Sequence, residues 1–138
     1  MKNGQLTTDN EGGVVRKQMK GEDIADRLLD FAARIVKLAD ALPKSGAGKY
    51  ICGQVVRSGT SAGANYEEAR GAESHADFVH KLGISLKELR ETRYWLRVIA
   101  RTQLIAPTRT NDIIQEVDEL CRIVGKSILT VKQRKTEK

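Results

Sequence analysis

The chain has 138 residues, 40% of them hydrophobic and 30% charged, which is enough for one domain with one core and too apolar for a disordered chain. Its net charge of +6 points to anionic partners but carries no information about fold. No apolar run approaches the roughly 20 residues that cross a bilayer, and the opening MKNGQLTTDNEGGVVRKQMK lacks the apolar stretch of a secretory signal. A cytoplasmic protein with no membrane partner is therefore expected.

Residues 1–20 are polar, contain Gly4, Gly12 and Gly13, and show no sustained periodicity. They read as a flexible N-terminal tail. From residue 21 to 132 the character changes, and four helices are predicted from apolar or small residues recurring at spacings of three and four. The first carries Ile24, Leu28, Phe31, Ile35, Leu38 and Leu42, with Glu22, Asp23 and Asp26 near its N-terminus, where negative charge suits the helix dipole. Pro43 stops it, and PKSGAG reads as a loop.

The second helix carries Ile51, Val55, Ser58, Ala62, Asn65 and Ala69. It also holds Gly53, Gly59 and Gly63, each costing up to ~1 kcal/mol of helix propensity relative to alanine. Propensity alone makes RSGTSAGAN a loop; the seam stays in phase on both sides and makes it a helix. Small residues there let a neighbouring helix approach closely. The third helix carries Phe78, Leu82, Ser85, Leu89, Thr92, Leu96 and Ile99, and Ser74 and Asp77 have the spacing of a capping box at its start. RTQLIAPT ends it, with Pro107 as the stop. The fourth carries Ile113, Val117, Leu120, Val124, Ser127 and Val131, widened by Ile114, Cys121 and Ile128. Residues 133–138 form a basic C-terminal tail. No period-2 stretch is long enough to suggest a strand. Four helices of similar length with short connections predict an all-α, antiparallel up-down-up-down four-helix bundle.

A search for chemistry finds little. A di-iron bundle needs two Glu-x-x-His motifs, yet His75 and His80 are preceded at that spacing by Ala72 and Asp77. Cys52 and Cys121 form no zinc-binding pattern and read as small buried thiols. KSGAGKY lacks the spacing and preceding strand of a phosphate loop. Ser58 and Ser61 have no evident histidine base. Glu67, Glu68, Glu88 and Glu91 could form paired carboxylates, but the structural reading is a polar network joining Asn65, Glu68 and a third-helix carboxylate. No catalytic residue, metal or cofactor is assigned, and the chain is read as no enzyme.

Binding is better supported. Lys87, Arg90, Arg93, Arg97 and Arg101 fall within about 120° of one face of the third helix, away from the seam. Such a stripe can follow a phosphate backbone, and Lys132, Arg134 and Lys135 add a second basic element. The competing reading is a solvated face laced with ion pairs. Tyr94 and Trp95 give only thin aromatic interleaving for base stacking. Together with Ile84 and Val98 they form an off-seam apolar patch, which suggests a subunit interface.

The stretches VVRSGTSAGANYEEARGAES and DFVHKLGISLKELRETRYWLRVI, with DRLLDFAARIVKLADALPKSGAGKYICGQ before them, resemble the 23S rRNA intervening-sequence proteins. The resemblance covers about residues 22–105, and the fourth helix by pattern alone. It implies a four-helix bundle assembled as a homo-oligomeric ring, typically a pentamer. It also implies a gene class sometimes found within ribosomal RNA intervening sequences. Arg57, Ser58, Gly59, Ser61, Asn65, Glu68, Glu91, Tyr94 and Trp95 match the family motif and are read as packing and assembly residues. A related group of the same fold serves diversity-generating retroelements as a basic accessory to a reverse transcriptase. This chain lacks a clear match to that group, so that role is an analogy. The expected partners are the chain itself, RNA or DNA, and, as the alternative, a protein for which the bundle is a scaffold.

Overall fold

The computed structural model describes residues 6–8, 14–16 and 20–136; side chains are described for residues 20–134. Four helices make up the fold: α1 (Gly21–Asp40), α2 (Gly46–Arg70), α3 (His75–Thr102) and α4 (Pro107–Thr136). Ahead of them, β1 (Leu6–Thr8) and β2 (Val14–Arg16) pair as a short antiparallel ladder, with Thr7 opposite Val15. This corrects the expectation that the chain holds no strand. The remainder of the expected N-terminal tail lies outside the described residues, apart from Lys20.

The helix boundaries follow local chemistry. Lys20 N–H donates to the Asp23 carboxylate at the start of α1 (3.5 Å). Ser45 caps α2 by accepting from Gly48 N–H (3.1 Å), so α2 begins inside the expected loop. Ser74 caps α3 by accepting from Asp77 N–H (3.0 Å), the serine half of the expected capping box. Pro107 does not stop α3. Gln103 does so, in the left-handed conformation (φ 54°), and Pro107 opens α4 at the first helical position, where its missing N–H costs nothing. Helix α4 continues through Lys132 and Arg134 to Thr136, so the expected C-terminal tail is mostly helical.

Each helix packs on its sequence neighbour, and α1 also meets α4. Contacts between neighbours run in opposite senses. Gly59 lies against Ile35 and Gly63 against Leu28; Thr92 meets Ser58 while Ser85 meets Ala62; Arg93 meets Asp118 while Leu86 meets Gly125. All six seam residues of the first helix are buried, as are Leu82, Leu89, Leu96 and Ile99 of α3 and Ile113, Val117, Leu120 and Val124 of α4. Each such side chain contributes about 1.5–3 kcal/mol of hydrophobic stabilisation. Ser127, Ile128 and Val131 are only half-buried.

Besides Ser127 and Val131, two seam positions differ from expectation. Asn65 is half-buried, and Tyr66 takes the core position instead, with its hydroxyl 3.5 Å from where a β-carbon on Gly21 would sit. Phe78, in the first turn of α3, is also half-buried. Asn65 does not reach a helix-3 carboxylate: its Nδ2 donates to the Ser61 carbonyl (2.9 Å) and Oγ (3.0 Å) within α2. The polar ties between α2 and α3 are others. In the core, Ser85 Oγ donates to the Ala62 carbonyl (2.8 Å), and Thr92 Oγ1 lies 2.9 Å from Ser58 Oγ. At the surface, Arg57 donates to Glu88 (3.1 Å) and to Glu91, and Lys81 pairs with Glu68 (3.0 Å).

Between α1 and α4 the tie is Arg27, a buried cation whose Nε and Nη2 each donate to Glu116 at 2.8 Å, with Glu119 3.1 Å from Nη2. The hydrogen bonds that it donates to Glu116 outweigh desolvation and hold the guanidinium more firmly charged. Nothing in the sequence pattern singled out this residue.

The α1–α2 approach depends on Gly59. A β-carbon there would lie 2.8 Å from Ile35 Cγ2, and Ile35 is fully buried with nowhere to move. Gly59→Ala should therefore lose about 1–3 kcal/mol in urea unfolding, although alanine is the better helix former. Gly53→Ala, with nothing within 4 Å, should gain about 0.5–1 kcal/mol. Arg27→Ala, which strands Glu116, should cost about 3 kcal/mol, and Arg27→Met less. Burial raises the Glu91 pKa, but hydrogen bonds from Arg57 and Trp95 outweigh it and hold the carboxyl below its usual range. Its contribution is complete above the ordinary carboxylate pKa and is lost as pH falls through the lowered native value. Unfolding followed by the fluorescence of Trp95, the sole tryptophan, should show stability falling below about pH 4, less steeply in Glu91→Gln.

Candidate nucleic-acid interface

The outer face of α3 is built by the positions that the buried seam leaves over. Lys87, Arg90, Arg97 and Arg101 are exposed. Arg93, nearest the seam on the α4 side, is half-buried and reaches Asp118 at 3.5 Å. Its charge is thus partly compensated, and the expected row of open cations is interrupted there. Arg90, Arg97 and Arg101 form no ion pair among the described residues. With Arg93, Tyr94, Val98 and Thr102 they line an open depression of about 530 Å³. All of these residues belong to α3, and they combine the apolar Tyr94 and Val98 with four arginines.

Helix α4 adds to this face. Burial pushes the Cys121 thiol up, against the opposing pull of Arg93 and Arg90 and a smaller one from Arg122. Arg122, next to Cys121 in the chain, is exposed on α4, and the sequence pattern did not select it. Its position, opposite the α4 seam and level with Arg90 in the α3–α4 register, is the signal that would have found it. Cys52 and Cys121 are both free thiols.

The C-terminal cations are not brought to the same place. Arg93 is level with Asp118, so Arg97 is level with Ile114, and Lys132 lies roughly 27 Å further along α4 at 1.5 Å per residue. Lys132 and Arg134 are exposed there; the side chain of Lys135 lies outside the described residues.

Next to the arginines is an aromatic cluster. Tyr94 and Trp95 meet edge-to-face with centroids 5.2 Å apart, and Tyr50 of α2 meets Trp95 at 6.0 Å. Tyr50 and Tyr94 are about 60% exposed (61% and 60%). Trp95 and Val98 pack partly onto the core, and Ile84 is half-buried. The Trp95 Nε1–H donates to the Glu91 carboxylate (3.2 Å), the same group that binds Arg57. The expected patch thus narrows to Tyr94 and gains Tyr50. Tyr50 stands seven residues before Arg57 and shares its helix face, a relation hidden when PKSGAG is read as a loop.

The motif residues cluster on α2 and its contacts. Ser58 is buried against Thr92, Gly59 lies under Ile35, Ser61 holds Asn65, and Arg57 and Glu68 pair across to α3. Of the two histidines, His75 is half-buried at the start of α3 and His80 is exposed.

The opposite face, between α1 and α2, is acidic. Glu22, Asp23, Asp26, Asp30 and Glu67, with Arg70 at one end, surround an open groove of about 1030 Å³. Ala25, Ala32, Gly63 and Ala64 form its floor, and Leu29 projects from it, 66% exposed. Among the described residues, no helix is long and apolar enough to cross a membrane.

No curated protein matches the chain. A solved structure that resembles it is that of a protein of unknown function, from the S23 ribosomal protein family of Bacteroides thetaiotaomicron. The two are 40% identical with a TM-score of 0.74, over 80% of this chain and 98% of the other. The 23S rRNA-intervening sequence protein family matches residues 22–126, which takes in all of α2 and α3 and most of α1 and α4. By that match over most of its length, the chain belongs to the 23S rRNA-intervening sequence protein family.

Proposed function

We propose that this is a non-enzymatic, up-down-up-down four-helix bundle that self-associates and docks nucleic-acid phosphates on the outer face of α3. The observation that carries the reading is the concavity at Arg90, Arg97 and Arg101, whose guanidinium groups have no carboxylate partner among the described residues. Arginine presents several donors in a planar fork that suits phosphate oxygens. Each neutralised phosphate releases counterions, so binding of this kind is strong at low salt and falls steeply as salt rises. Tyr94 in the same depression can lie against a base or ribose.

A homo-oligomeric ring, pentameric by family resemblance, and a cytoplasmic location complete this reading. The non-enzymatic part rests on the placement of the polar groups. Ser58 is buried and bonded to Thr92, Glu88 and Glu91 of α3 are engaged by Arg57, and Glu68 of α2 by Lys81. A second reading, a scaffold or accessory subunit for a protein such as a reverse transcriptase, is favoured by the exposed Tyr50–Trp95–Tyr94 cluster. Aromatic side chains held rigid by their neighbours are common anchors of protein interfaces.

The test is fluorescence anisotropy with an RNA hairpin and a DNA duplex over a salt series. The triple variant Arg90→Ala/Arg97→Ala/Arg101→Ala should weaken binding across sequences. On duplex DNA it should also flatten the slope of log affinity against log salt, by roughly 0.9 for each phosphate that is no longer neutralised. Absence of binding at low salt, or a triple variant with the parent's affinity and salt slope, would remove the nucleic-acid reading.

A further inference from the structure

Opposite faces of the bundle complement one another. On α1, Leu29 is an apolar knob, and the side chains around it carry a carboxylate collar formed by Glu22, Asp26 and Asp30. On α3, the depression at Tyr94 and Val98 is an apolar cup, and its collar is Arg90, Arg97 and Arg101. An exposed leucine ringed by acids is a poor core element and gains nothing from solvent. A cup with arginines around its rim satisfies both its shape and its charge.

We infer that the occupant of the α3 cup is a second copy of this chain, with its Leu29 inserted between Tyr94 and Val98 and its Asp26 and Asp30 paired with Arg97 and Arg101. This rests on the self-association in the proposed function and names its surfaces. The two faces lie on opposite sides of one protomer, so the contact is head-to-tail. Repeated, it closes into a ring or continues as a filament. A like-with-like contact of either face is disfavoured, because it would set acids against acids or arginines against arginines.

The consequence reaches the nucleic-acid face. Arginines seated against a neighbour's carboxylates cannot also face phosphates. The acidic collar then acts as an internal competitor for the phosphate backbone, and assembly and nucleic-acid binding oppose each other at one set of side chains.

The experiment is multi-angle light scattering and sedimentation velocity on the full chain, with circular dichroism confirming each fold. Leu29→Lys and, separately, Arg97→Glu/Arg101→Glu should each weaken self-association about tenfold or more. Asp26→Arg/Asp30→Arg should do the same. Mixing the last two variants, whose charges are exchanged, should restore assembly as species in which the two variants alternate, so a closed ring then holds an even number of protomers. A short RNA duplex added to the parent protein should dissociate it. A parent that is monomeric at every concentration would remove the self-association reading and this contact with it. Variants that assemble like the parent would leave self-association standing and overturn the assignment of its surfaces. RNA that binds without shifting the assembly would overturn the competition.

Discussion

The contact of Ile35 with the bare α-carbon of Gly59 sets the spacing on which the other features depend. Helices separated by ordinary side chains lie 8–10 Å apart, whereas here Ile35 occupies the space a β-carbon would take. One turn along, Leu28 lies 3.4 Å from the β-carbon position of Gly63, an ordinary van der Waals contact that leaves Gly59 as the point of closest approach. Gly59, which weakens α2 as an isolated helix, therefore allows α1 to come close where Ile35 is completely buried, with Leu28 and Phe31 buried beside it. Burial of these large side chains outweighs the propensity lost, because each is worth more than a glycine costs. The same approach leaves only small residues in the α1–α2 floor, so the groove there is shallow and Leu29 stands out from it.

The polar groups of the core and rim keep the helices in register rather than supplying most of the stability. Ser85 and Thr92 bridge α2 and α3 where larger residues would hold them apart. Arg57 gathers Glu88 and Glu91 at the surface, and Glu91 in turn orients Trp95. Arg27 fastens α1 to α4, where the helix packing is least extensive. A slip of one helix by a turn would strand these groups, and stranded buried charges cost more than paired ones contribute. Regular helices, close approach at glycine and satisfied polar ties thus point to the same arrangement.

Charge is divided between opposite faces of this frame. The net charge of +6 conceals an acidic α1–α2 face and a basic α3–α4 face. Such separation costs little within one protomer, because the faces lie across the bundle and are screened by water and salt. At the surface it directs what each side can meet. The basic side suits a phosphate backbone or an acidic surface, and the acidic side suits a cationic one.

What the sequence determined by itself is the run of four helices, most of the core and the family. These rest on local periodicity of three and four and on short motifs, both carried by neighbours along the chain. The solvent-facing stripe from Lys87 to Arg101 was legible for the same reason, since helix geometry fixes direction relative to the seam. Only the tertiary structure decided the rest. It replaced Asn65 by Tyr66 in the core, because the start of α1 offers the ring a surface. It matched Arg93 to Asp118 and left Arg90, Arg97 and Arg101 without carboxylate partners among the described residues. It joined Tyr50 to Trp95, and Arg27 to Glu116 across 89 positions of sequence. Each of these depends on distances between residues far apart in the chain, set by how closely and in what register the helices pack, and periodicity within one helix carries no information about either.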